Sequence, residues 1–302
     1  MLGQIYSAKR LYQEGIHYFN KSAEYSKNSI PFEALLYSKP ARSNTPYNQL
    51  SYLITQYSIS YHYSTTLWLH TMKSVQDQQQ NYQNSFVGFA PIYNNTATVT
   101  PPRIAVGMRS GNTNNYATLI HSEKEVSVVE QLFKHHTLQS QLFLHQEATK
   151  KSFKQAISSS KYVLFAGHGF YDKEQPEWSG IVFSPNKDSD KSDVLSVQES
   201  YTLRTTVDLL VLSCCESGVG KHIEGEGNLS IVRGFLYAGA KNIVCSLFKV
   251  YDKSSSELSQ YFFNELTQHS NYATALQMAK KQLIASNTST PKLWSGLILI
   301  GK

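Results

Sequence analysis

The sequence predicts an α/β fold: a mostly parallel central sheet with helices on both faces, plus a smaller N-terminal mixed subdomain. Three observations predict it. Val207 to Gly218 reads VDLLVLSCCESG, and a continuous apolar run bounded by turn residues suits a strand buried on both faces of a parallel sheet. Tyr162 to Phe170, YVLFAGHGF, repeats the pattern and ends in a histidine between two glycines. Around these runs, apolar stretches of strand length alternate with amphipathic stretches of helical length, as strand–helix–strand units require.

The chain has 302 residues, 41% of them apolar, enough for one large domain or a large domain with a smaller neighbour. The amino end, MLGQIYSAKR, lacks an apolar signal core, and no run of apolar residues reaches membrane-spanning length. A soluble, cytoplasmic protein that engages no membrane is expected. Three cysteines, two of them adjacent, make no disulfide framework, which fits a reducing compartment. The net charge of +6 is spread over scattered Lys and Arg without a basic run. A mildly basic solvated surface accounts for it, and no nucleic-acid partner is expected.

Residues 1 to about 29 read as a helix, with Leu11, Tyr12, Ile16 and Phe19 on one face. The stretch resembles one helix of a tetratricopeptide repeat, but no second copy follows at that family's period. Pro31 leads into PFEALL, and Tyr52 to Trp68 is rich in β-formers and aromatics. The turn-rich segment ending at Pro101–Pro102 is the best break in the chain. It divides an N-terminal mixed region, 1–102, from a main domain, 103–302.

Beyond the break, Ile104–Met108 reads as a short strand. A helix follows over Ser122–His135, started by Ser122 and Glu125 as a capping box, with Val126, Val129, Leu132 and Phe133 inward. Gln141–His145 is a strand, Thr149–Ser158 a helix, and Tyr162–Ala166 a strand. Phe170 to Arg204 reads as a long irregular segment holding one strand, Ile181–Phe183. The run at Val207 supplies the next core strand. A helix over Asn228–Ala238, closed by Gly239, precedes a strand over Asn242–Phe248. Ser254 and Glu257 form a second capping box ahead of a helix bearing Leu258, Tyr261, Phe262 and Leu266. A last helix near Ala273–Ile284 leads to the strand Leu297–Ile300.

In such sheets the chemistry gathers beyond the carboxyl ends of the strands. There the sequence places His168 at the end of one strand and Cys214–Cys215 at the end of another. A thiolate is the nucleophile, and a neighbouring imidazolium lowers the thiol pKa. His168 can take the thiol proton and return it to a leaving amine. Each residue alone has a bland reading, a small buried hydrophobe or a loop histidine. Their order, and a spacing near the about 50 residues seen in caspases, favours the chemical one. Cys214 ends the strand and is expected to pack in the sheet, so Cys215, opening the turn, is taken as the nucleophile. The backbone N–H groups of Gly169 and Cys215 would form the oxyanion hole. Cys245, in mid-strand, reads as core.

These residues carry a family resemblance. PFEALL, the Glu125 helix, EATKKSF (147–153), AGHG (166–169), WSGIVFS (178–184) and DLLVLSCCESG (208–218) occur in order. EGEGNLSIVRGFLYAGAKNIVCSLFKVYD (224–252) and WSGLILIG (294–301) complete the set. Residues 30 to 302 are similar to the CHAT-domain family of caspase-like cysteine peptidases, of the clan that includes caspases and separases. The family has a histidine followed by glycine and a Leu-Ser-Ala-Cys-Glu-Thr-Gly run with a catalytic cysteine. Matched residue by residue, these imply His168 and Cys215. Cys214 stands where the family has alanine, Ser217 where it has threonine and Phe248 where it has tryptophan.

The resemblance implies a caspase-like sandwich and an endopeptidase acting on specific partner proteins, in bacterial defence or regulated cell death. Gasdermin-type proteins are among family substrates. The tetratricopeptide array often fused ahead of such domains is missing, which implies a separate activator or sensor protein. Asp252 matches an acidic family position. By analogy with separases it is the S1 candidate, an acid selecting Arg or Lys before the scissile bond. A helix N-terminal or loop carboxylate is the equal alternative, and Glu216, Glu224 and Glu226 are rival acids. No cofactor and no metal is expected: Cys-x-x-Cys, His-Glu-x-x-His and Walker patterns are missing, and His62 and His222 are isolated. Two rival functions stand beside the peptidase: a catalytically silent scaffold, and a thiol acyltransferase or other hydrolase on a similar sheet.

Overall fold

The computed structural model describes residues 31–40, 42, 44–63, 82–93, 116–172, 174–184, 193–215, 217–218, 221–223, 227–269, 271–286 and 290–302. The expected helix at 1–29, the strand at Ile104–Met108, the break at Pro101–Pro102 and the acids Glu216, Glu224 and Glu226 lie outside them.

In chain order the strands and helices are β1 (Asn84–Pro91), α1 (Ser122–His135), β2 (Ser140–His145), α2 (Lys150–Ala156) and β3 (Ser160–Ala166). Next come β4 (His168–Phe170), β5 (Gly180–Phe183), β6 (Asp193–Ser196), α3 (Val197–Ser200) and β7 (Leu209–Ser213). A backbone hairpin of β8 (Lys221–Ile223) and β9 (Gly227–Leu229) leads to α4 (Ile231–Ala238) and β10 (Asn242–Ser246). The chain ends through α5 (Asp252–Gln268), α6 (Tyr272–Ala285), α7 (Pro291–Trp294) and β11 (Leu297–Ile300).

Six strands form the central sheet in the order β11-β10-β7-β3-β1-β2. All neighbours run parallel except β10 and β11. Strand side chains alternate between faces, and each face has its own core. Phe86, Leu164, Leu209, Val211, Val244 and Leu299 meet Val126, Val129 and Phe133 of α1, Leu258 and Phe262 of α5, and Leu276 and Ala279 of α6. On the other face Val87, Val163, Leu210, Leu212 and Ile243 meet Phe153 of α2 and Val232 and Phe235 of α4. The parallel α/β architecture expected from the sequence is the one observed.

Several local expectations are corrected. β1 is an inner strand, paired with both β2 and β3. Strands on either side of the expected 1–102/103–302 break therefore belong to one sheet. Residues 31–63, which include the described part of the Tyr52–Trp68 stretch rich in β-formers, contain 3-10 turns and isolated bridges. Their Ala34, Leu36, Tyr52 and Ile54 enter the core of the main sheet, and Tyr52 packs edge-on against Trp294 at 4.8 Å. Tyr61 donates its N–H to Leu299 O (2.8 Å) and accepts that of Gly301 (3.0 Å), covering the β11 edge. Behind it the fully buried Glu33 carboxylate takes Lys280 Nζ at 3.0 Å and the Tyr61 hydroxyl at 2.5 Å. Burial pushes the Lys280 pKa down, against the pull of Glu33.

The expected irregular segment Phe170–Arg204 instead holds an antiparallel sheet, β4-β5-β6, and the short α3. Neither predicted capping box forms. Helix α1 has His121 as its N-cap, without a side-chain cap, and Ser122 Oγ turns back to Leu119 O. Helix α5 begins at Asp252, ahead of Ser254, with no side-chain cap at Tyr251. Gly239, at φ +114°, closes α4 as expected.

Candidate active site

The alternation of strand side chains sorts the two vicinal cysteines. Cys214 continues the row of Leu210 and Leu212 into the α2/α4 core. Cys215 continues the row of Leu209 and Val211 toward the α1/α5 side. Cys214 thus packs in the interior, as expected, and Cys245 does too, with burial first and then Cys214 and Glu33 raising its thiol pKa. Cys215 departs from expectation in one respect: its side chain does not leave the sheet edge but is fully buried. Its Sγ accepts the N–H of Val250 at 3.3 Å and lies 3.7 Å from the Val250 carbonyl oxygen. The reason is the loop from β10 to α5, which closes over the strand end. Gly296 allows this, because a Cβ there would stand 2.8 Å from Phe248 and 2.9 Å from Val250.

The turn after β7 is laced to β10. Gly218 donates to Ser246 O at 2.7 Å and Ser246 N–H to Ser217 Oγ at 3.0 Å. The Ser246 hydroxyl also bonds Cys214 O. β3 lies beside β7, with Ala166 opposite Ser213 and the Gly167 N–H reaching Ser213 O at 3.4 Å. His168 and Gly169 therefore emerge next to the cysteine pair. A Cβ on Gly169 would sit 2.7 Å from Cys215 O and 3.2 Å from Cys214 Sγ, so the approach requires glycine.

The His168 ring is wholly buried between aromatics, Tyr93 at 4.6 Å and Tyr116 at 5.3 Å. Its Nε2 lies 2.7 Å from the Ala117 carbonyl oxygen. A carbonyl only accepts, so Nε2 carries a proton there, and in the neutral form of the ring the lone pair lies on Nδ1. The His168 N–H donates to Tyr93 Oη (2.9 Å), and the Tyr93 hydroxyl donates to Val182 O (3.0 Å). Burial raises the Tyr116 pKa to about 12, so its hydroxyl stays neutral.

Asp252, the expected pocket acid, starts α5 and is only 3% exposed. Its Oδ2 accepts the His121 N–H at 2.9 Å. The site partners absent from the sequence reading are Tyr93, Tyr116, Ala117, His121 and Val250. The last three act through main-chain groups, which no residue type advertises. Among the described residues no group of three or more His, Cys, Asp or Glu side chains could hold a metal, and no helix is long and apolar enough to cross a membrane.

A cysteine and a histidine thus stand at the carboxyl ends of adjacent parallel strands of this sheet. The CHAT domain pattern matches residues 26–302, and the chain belongs to that family. It is 25% identical over 217 residues to mouse (Mus musculus) tetratricopeptide repeat protein 28, a match covering 60% of this chain and 8% of that protein. Among solved structures it is similar to separase in the Saccharomyces cerevisiae separase–securin complex: 14% identity, TM-score 0.49, 85% of this chain and 15% of that one. It is similar also to the Arg specific cysteine proteinase gingipain R, with 10% identity and a TM-score of 0.47 over 78% of this chain and 50% of that one. A gingipain of Porphyromonas gingivalis, RgpB, in a complex of its pro- and mature domains, gives the same identity and TM-score. The chain thus spans a small part of the curated relative and at most about half of these structures.

Proposed function

We propose that this chain is a cysteine endopeptidase that cleaves partner proteins after a basic residue. The observation that carries the reading is the side-chain parity after β7. It turns the Cys214 thiol into the α2/α4 core and the Cys215 thiol to the opposite face of the sheet, while the Cys215 main chain lies against the glycine that follows a buried histidine. In the reaction, the thiol proton passes from Cys215 Sγ to His168 Nδ1 and the thiolate adds to the scissile carbonyl carbon. The negative charge gathers on the carbonyl oxygen, which the N–H groups of Gly169 and Cys215 would receive. His168 returns the proton to the leaving amine, and water hydrolyses the thioester. Asp252 would receive the basic side chain. Membership of the CHAT family supports the peptidase chemistry. Regulated cleavage in bacterial defence or cell death, a cytoplasmic setting, gasdermin-type substrates and a separate activator complete the proposal.

A second reading, a catalytically silent scaffold, has one observation in its favour: Cys215 is wholly buried and held by Val250. A diverse fluorogenic peptide library, incubated with the wild type and with Cys215→Ala, separates the two. Cleavage after Arg or Lys that disappears in the variant supports the proposal. Cleavage after other residues keeps the nucleophile and removes Asp252 as the selecting acid. Cleavage that survives in Cys215→Ala removes the nucleophile. Failure of both proteins, with purified neighbouring gene products added, favours the scaffold.

A further inference from the structure

The orientation of His168 depends on a short strap. Residues Tyr116 to His121 run from the histidine ring to the start of α1, and the Ala117 carbonyl is the group that fixes the ring tautomer. The strap is anchored inward by the buried side chains of Tyr116 and Leu119, while Ile120 is 71% exposed. Its other end is held from a different part of the chain. Asp252 Oδ2 takes the His121 N–H at 2.9 Å, and Ser256 Oγ, one turn along α5, reaches the His121 carbonyl at 3.4 Å. Only three residues lie between Ala117 and His121, about 14 Å of chain even when extended. A displacement at one end is therefore felt at the other.

We propose that Asp252 is a positioning residue for His168: its carboxylate holds His121, and through the strap it sets the Ala117 carbonyl against Nε2. This rests on reading His168 as the base of the dyad. The bond is made by a side-chain oxygen that is almost wholly buried, where a hydrogen bond lost is not replaced by water. The same carboxylate is the one offered above to a basic substrate side chain. A guanidinium arriving at Asp252 would meet an oxygen already engaged by the strap. Substrate recognition and imidazole orientation are thus linked through one side chain.

The test reads the hydrogen bond directly, without substrate. In the full-length, uniformly 15N-labelled protein, the His168 Nε2–H should give a downfield, slowly exchanging imidazole proton, assigned by its disappearance in His168→Gln. Asp252→Ala and His121→Pro should each speed its exchange at least tenfold. His121→Pro removes the donor N–H and leaves the carboxylate in place, at the N-cap position just ahead of the first helical turn. Asp252→Asn keeps an acceptor oxygen and should keep the slow exchange. Alkylation of the buried Cys245 reports global unfolding in each variant, and if Asp252→Ala unfolds, the other two decide. Unchanged exchange in His121→Pro, or exchange in Asp252→Asn as fast as in a variant lacking the bond, overturns the proposal.

The pocket reading fails separately. If Asp252 selects basic residues without positioning His168, cleavage after Arg is lost in Asp252→Ala and Asp252→Asn while the ring proton is unmoved. If it positions without selecting, His121→Pro lowers kcat with KM little changed, and Asp252→Asn keeps its preference among peptides.

Discussion

Replacing Gly169 by alanine tests whether the close approach of the histidine segment to the cysteine turn matters for chemistry. The added Cβ would stand 2.7 Å from the Cys215 carbonyl oxygen, a main-chain atom, and 3.2 Å from Cys214 Sγ. An ordinary C···O contact is about 3.3 Å or longer, so the two segments must separate by roughly 0.6 Å. Neither side gives easily. Gly169 lies in β4, paired with Ile181, and Cys215 is held by Val250. Overpacking of this kind costs about 1–3 kcal/mol of stability, a loss of several degrees in Tm. Its effect on reaction should be larger, since misplacing reacting groups by about 1 Å costs on the order of a hundredfold. The expected loss is tenfold to a hundredfold, on the order of the effect of that displacement. It is read as the rate at which a peptidyl vinyl sulfone labels Cys215, beside a melting curve. A Gly169→Ala protein that labels at the wild-type rate would refute the idea that this contact sets the dyad.

Cys215→Ala should abolish cleavage, whereas Cys214→Ala should retain it with at most a modest fall in Tm, since the small Cys214 side chain packs in the α2/α4 core; peptide turnover and melting curves check both. Tyr93→Phe removes the hydroxyl that accepts the His168 N–H and donates to Val182 O. Leaving such a buried pair unmatched costs about 1–3 kcal/mol, and urea unfolding together with slower Cys215 labelling should show it. Lys280→Met strands the Glu33 carboxylate in the core and should destabilise by about 3–5 kcal/mol, with Glu33→Gln/Lys280→Met recovering part of it in the same assay. Burial pushes the Glu199 pKa up, but Lys154 and Lys150 overcome that and hold it below the ordinary carboxylate value. Its contribution is therefore present above pH 4.5 and fades as pH falls through the lowered folded value. The Tm difference between wild type and Glu199→Gln should shrink in that acid range.

Most of the strands legible in the sequence carry continuous apolar runs; the partly exposed β2 and the short β5 were legible without a long one. β3, β7, β10 and β11 are buried on both faces, and nothing but a strand of a covered sheet needs such a run. β1 was not legible, although it is an inner strand, between β3 and β2. Gly88 and Pro91 dilute its pattern, yet Gly88 is needed there, because a Cβ would stand 2.8 Å from both Leu142 and Val126. Strand β4 is too short to produce a period, and its pairing with β5 depends on residues far along the chain. The capping boxes failed because tertiary contacts supplied other partners: Asp252 reaches the start of α1 from across the fold. Within the site, His168 and the cysteine pair stand out in the sequence because imidazole and thiol are chemically distinctive. The carbonyl of Ala117 and the main chain of Val250 could not, since every residue carries the same groups.

The buried Glu33–Lys280 pair with its Tyr61 hydroxyl has a mechanical consequence. Most chain segments near an end can fray residue by residue, each step losing a little contact. Here the first step that opens Glu33 to separation leaves two opposite charges apart in a dry core, so intermediate positions are disfavoured. Residues 31–63 therefore let go as a unit or stay in place. Tension applied upstream of Pro31 is transmitted undiminished to α6 and β11 until that threshold is crossed.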